Sequence, residues 1–89
     1  MKTRIRGRMW TIKRARLVAS RGECDDPLGP GRVIKVAHNL KGEEELEVII
    51  HEMLHAGLWD LDESVVETMG EDMARALWKM GYRRTPVTA

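Results

Sequence analysis

At Gly42 the spacing of apolar residues changes, and that change limits what the chain can fold into. Downstream of it, Leu46, Ile49, Ile50, Met53, Leu54 and Gly57 recur three and four residues apart. Glu43, Glu44 and Glu45 precede them, where carboxylates suit the positive end of a helix dipole. The pattern predicts an amphipathic helix of about four turns that stops near Gly57. A second helix is expected from around residues 60–62 to Gly81, with Val66, Met69, Met73, Leu77 and Met80 on one face. Upstream, residues 8–17 alternate in part, Trp10 and Ile12 against Lys13, and residues 31–37 are β-branched between turn residues. Both read as strands. Residues 20–31, dense in Gly, Pro and Asp, read as a loop between them. The expected class is α+β: a short antiparallel or mixed sheet, most economically a hairpin with a long connection, packed on two helices.

Eighty-nine residues make one small domain, expected to occupy residues 1–82 with a flexible tail over 83–89. Such a chain buries only somewhat more than about 60% of its unfolded surface, so its core is thin. With no Phe in the sequence, Trp59, Trp78 and the six methionines are expected to fill that core. The longest apolar run, residues 48–50, is far too short to cross a bilayer. The basic start of the chain lacks the apolar stretch of a secretory signal, and a lone Cys24 cannot form an internal disulfide. A cytoplasmic protein without a membrane partner is therefore expected. Cys24 stands beside Asp25 and Asp26, whose charges disfavour a thiolate.

The net charge of +1 hides an asymmetry. Residues 1–41 hold 11 Lys and Arg against 3 Asp and Glu, whereas residues 42–89 hold 4 against 11. The two halves can face each other or be solvated separately. A basic face for nucleic acid is the alternative, although only Trp10 interleaves with the arginines, which weakens the stacking part of that signature.

One motif proposes a chemistry. His51-Glu52-Met53-Leu54-His55 places two imidazoles four residues apart on one helix face, about 5–6 Å between Cβ atoms, so both can reach one tetrahedral Zn²⁺. Glu52 is then a natural base for a metal-activated water. A catalytic zinc typically takes three protein ligands, and Asp60, Asp62, Glu63 and Glu67 are near enough to supply the third. Glu63 and Glu67 share a helix face bordering Val66, so one can bind metal while the other orients a histidine. Alternatively, with Asp60 as N-cap, Glu63 closes a capping box and needs no metal.

The stretch from Gly42 to Gly81 resembles a gluzincin, a zinc metallopeptidase with H-E-x-x-H on one helix and a glutamate from a following helix as third ligand, often within E-x-x-x-D. Here Glu63-Ser64-Val65-Val66-Glu67 keeps that spacing with Glu in the last place. The short interval from His55 to Glu63 resembles the compact versions among small phage and prokaryotic proteins. A metzincin pattern would need glycine at 58 and histidine at 61, where this chain has Leu58 and Leu61. The resemblance implies a small zincin-like fold with one zinc on His51, His55 and Glu63. Glu52 would be the general base and Glu67 would support a histidine. It further implies a peptide or protein substrate, added as a strand along Val33–Ala37 treated as an edge. An oxyanion donor is expected besides the metal, and His38 and Tyr82 are the residues available. Each has a competing reading, His38 as a solvated loop residue and Tyr82 as a lid on a helix end. The alternative function is a nucleic-acid- or protein-binding module that uses the basic half on the same scaffold, with structural or no metal.

Overall fold

The computed structural model describes residues 1–85, which form a four-stranded mixed sheet with two helices on one side. Strands β1 (Lys2–Ile5) and β2 (Arg8–Ala15) are antiparallel and joined by Arg6-Gly7, whose φ angles of 47° and 80° are both left-handed. Such two-residue turns match the twist of the flanking strands, and glycine adopts that conformation without penalty. Arg6 is tied down by its guanidinium, which donates to the Gly57 carbonyl at 3.0 Å.

Strands β3 (Gly22–Cys24) and β4 (Val33–Ala37) complete the sheet in the order β1-β2-β4-β3. β4 runs parallel to β2, in the register Ile12 with Ile34, and antiparallel to β3. This corrects the expected hairpin of two strands. Parallel neighbours need a crossover, and the residues between β2 and β4 supply one by running back as β3 before β4 slots in between. The loop expected over 20–31 thus contains a strand. Val33–Ala37 is likewise no edge: it is hydrogen-bonded on both sides, and β1 and β3 carry the free edges.

Trp10, Ile12 and Arg14 share the inner face of the sheet with Ile34 and Val36, and on that face lies α1 (Gly42–Gly57). Val48 and Ala56 of α1 close the core with Trp10, Ile34, Val36 and Leu40. Helix α2 (Glu63–Lys79) packs against α1 rather than on the strands, through Val66, Gly70 and Ala74. A Cβ on Gly70 would lie 3.6 Å from the backbone of His51, so small residues set how closely the helices approach. The expected methionine stripe is therefore not core. Met69 and Met73 are each 40% exposed, Met80 more so, and Trp59 is 44% exposed. Trp78 is half-buried and carries Arg83 over its ring at 3.4 Å. Arg84 reaches Glu45 at 3.2 Å, so the first residues of the expected tail are held against the domain, and residues 86–89 lie outside the described part. Among the described residues, no helix is long and apolar enough to cross a membrane.

Candidate metal centre

Helix α1 extends through both histidines of the motif without a break, and α2 starts only a short turn later. Its first residue is Glu63, preceded by Asp62 at the N-cap with no side-chain capping bond. No capping box therefore forms with Asp60, and the Glu63 carboxylate turns to the histidines instead. Glu63 Oε1 lies 3.0 Å from His51 Nε2 and Oε2 lies 2.8 Å from His55 Nε2. The two Nε2 atoms are 3.2 Å apart, with the rings edge to face at 4.8 Å between centroids.

This arrangement can hold a cation. Each imidazole Nε2 has one outward position, either a proton or a lone pair. A single metal ion satisfies all three groups. Tetrahedral donors about 2.0–2.2 Å from a zinc stand about 3.3–3.6 Å from one another, and the two Nε2 atoms, 3.2 Å apart, are close to that. The three ligand atoms all lie within 4.8 Å of one another, the sole such group among the described residues. Two histidines and one carboxylate form a donor set that catalytic zinc uses with a fourth position left open. Glu63 is 65% exposed, so the cluster opens to solvent on that side.

Glu52 occupies the opposite environment. Its side chain projects from α1 toward β3 and is 7% exposed, with Gly22 directly beneath: a Cβ there would stand 2.7 Å from Glu52 Oε2. Burial raises the Glu52 pKa above the usual carboxylate range. The nearby His51 and His55 pull it down, and Glu63 and Glu23 push it up. Cys24, two residues along β3, has its thiol pushed up to about 12 by burial and by the charges of Glu52 and Asp25.

The remaining site expectations fare differently. Glu67 is exposed and makes no hydrogen bond or ion pair with either histidine among the described residues, so the supporting role assigned to it has no contact behind it. His38 is exposed in the turn after β4, where its backbone N–H donates to the Ala15 carbonyl at 2.9 Å. Tyr82 lines a cleft with Gly42, Glu45 and Trp78. Both stand toward the N-terminal end of α1, where Gly42 is about 13 Å along the axis from His51, and neither is hydrogen-bonded to the cluster. Two residues at the site escaped sequence reasoning. Gly22 lay in an apparent loop, and Trp59, assigned to the core, instead stands edge to face with His55 at 6.4 Å.

Comparison of the chain with protein-family models, with curated proteins and with solved structures finds no significant match in any of the three.

Proposed function

We propose that this chain is a compact zinc-dependent metallopeptidase of zincin-like architecture, with His51, His55 and Glu63 as metal ligands and Glu52 as general base. The observation that carries this reading is the convergence of both histidines and Glu63 on one point, with a buried glutamate between the histidines on the same helix. When bound there, zinc supplies Lewis acidity and a water of lowered pKa.

The chain's own residues supply the rest. Glu52, buried on the same helix between the two histidines, would take a proton from the attacking water and return it to the leaving amine. Close packing on Gly22 fixes its position. Of the two free edges, the one that lies against Glu52 belongs to β3. The Ala37 N–H donates to the Arg21 carbonyl and the Asp25 N–H to the Val33 carbonyl. In an antiparallel ladder the alternate residues, Gly22 and Cys24, then turn their N–H and C=O groups outward. Strand addition is accordingly assigned to β3 rather than to Val33–Ala37.

Cleavage of casein by the zinc-loaded protein and by its Glu52→Gln variant tests this function. The variant should keep its zinc and lose cleavage by about 10²–10⁴-fold. Cleavage that survives the substitution, or none by the zinc-loaded parent over a broad peptide library, would refute the proposal.

A further inference from the structure

The outer face of the sheet has no helix on it, and its residues follow from the registers. Arg14 contacts Glu45 of α1, and Gly22 lies beneath Glu52, so these positions and their neighbours Ile34 and Val36 face inward. The intervening residues face outward: Lys2 and Arg4 on β1, opposite Thr11 and Met9, then Lys13 on β2 beside Lys35 on β4. Among the described residues, none of these four cations has an ion-pair partner. Glu23, opposite Lys35, is the one carboxylate within the ladder on this face.

Lys13 and Lys35 are direct neighbours in register, with strands about 4.8 Å apart. Like charges placed directly across a sheet destabilise it, a cost that Glu23 offsets only on the Lys35 side, leaving Lys13 without a carboxylate opposite it. Lys2 opposite Thr11 is the diagonal neighbour of Lys13 and extends the field, with Arg4 two residues on. Arg32, whose Nε donates to the Met9 carbonyl at 3.1 Å, adds charge at the end of the same strands.

The geometry points to this face as a docking surface for the phosphate backbone of double-stranded nucleic acid. Four cations on an uncovered sheet face complement a line of phosphates. Single strands are held by aromatic stacking as well as by charge, and this face offers none: Trp10 is turned inward and fully buried, and Trp59 and Trp78 lie on the helix side. Contacts to phosphate alone position a duplex without reading its sequence. The inference is independent of the metallopeptidase reading, because the face lies across the sheet from the histidine cluster.

Fluorescence anisotropy with a labelled 20-base-pair DNA duplex tests it. Four neutralised phosphates give a log–log salt slope of about −3.6, so affinity should fall about a hundredfold between 50 and 200 mM salt. Lys13→Glu combined with Lys35→Glu should halve that slope and weaken binding at least tenfold, with the circular dichroism spectrum unchanged. Arg75→Glu on α2 should leave binding within twofold. A single strand of equal length should bind more weakly than the duplex. No retention of duplex at 50 mM salt, equal weakening by Arg75→Glu, or equal binding to phosphatidylserine vesicles would each overturn the assignment.

Discussion

Gly22 and Glu52 meet across the sheet–helix interface at a separation that only glycine permits. A Cβ at position 22 would lie 2.7 Å from Glu52 Oε2 and 2.8 Å from Val48 Cγ1. One residue of the shortest strand therefore sets where the proposed base rests. Gly22→Ala should displace the Glu52 carboxylate and overpack the interface, at a cost of about 1–3 kcal/mol in urea denaturation. Casein cleavage should fall at least tenfold while zinc content stays unchanged. Unchanged stability and cleavage would show that Glu52 moves freely.

Gly70 is a milder case on the other side of α1. A Cβ there would meet His51 at 3.6 Å, an ordinary van der Waals contact. Gly70→Ala should therefore fit and stabilise α2 by up to about 1 kcal/mol through helix propensity, with zinc retained. Gly70→Leu should push α2, and Glu63 with it, away from the histidines. Thermal melts with and without zinc read both effects, and equal zinc stabilisation of the Leu variant and the parent would contradict them.

Glu45 is buried at the start of α1 and is bridged by Arg14 and by Arg84. The sequence explained this glutamate only as a favourable charge at a helix start. Arg14→Ala leaves one partner for a buried carboxylate and should cost about 1–2 kcal/mol, between the values for surface and buried pairs. Arg75→Ala removes an exposed contact to Asp72 at 3.9 Å and should cost less than about 0.5 kcal/mol. Denaturation midpoints of the two variants give the comparison, and equal losses would mean that Glu45 is solvated.

Cys24 gives a prediction in pH. With its thiol pushed up to about 12, the protonated form dominates through pH 8, where the thiolate fraction is only about 10⁻⁴. Iodoacetamide should therefore label the folded protein at least a hundredfold more slowly than the urea-unfolded chain. Because the folded value lies above the ordinary 9.0, this group's contribution to stability is lost as pH climbs from 9.0 toward about 12. Glu52→Gln removes the second-largest cause of the shift and should speed labelling. Labelling as fast in the folded state as in urea would contradict burial of the thiol, and unchanged labelling in Glu52→Gln would remove Glu52 as its electrostatic neighbour.

The helices were legible because their cause is local. The three-and-four spacing after Gly42 gave α1 its bounds, and the His51–His55 spacing placed both rings on one face. β1 and β3 were not legible. Lys2–Ile5 reads only as a basic start to the chain until Arg6-Gly7 turns it onto β2, and Gly22–Cys24 becomes a strand only by pairing with β4. Both depend on partners distant in sequence. On α2, Val66 was read correctly as buried, but Met69, Met73 and Met80 were placed in the core because hydropathy ranks Met above Gly and Ala, whereas close helix approach selects Gly70 and Ala74. Glu63 could be narrowed to a set of four carboxylates from spacing; its choice depends on where α2 begins.

Metal stoichiometry of the purified protein tests the central claim most directly. After exchange into micromolar zinc and gel filtration, the parent should carry about one zinc per chain, as a three-ligand site requires. His51→Ala and His55→Ala should carry almost none. Glu63→Ala should weaken zinc binding at least tenfold, while Asp60→Ala and Asp62→Ala bind as the parent does. A parent that retains no zinc, or Asp60 and Asp62 variants that lose it as readily as Glu63→Ala, would contradict the account.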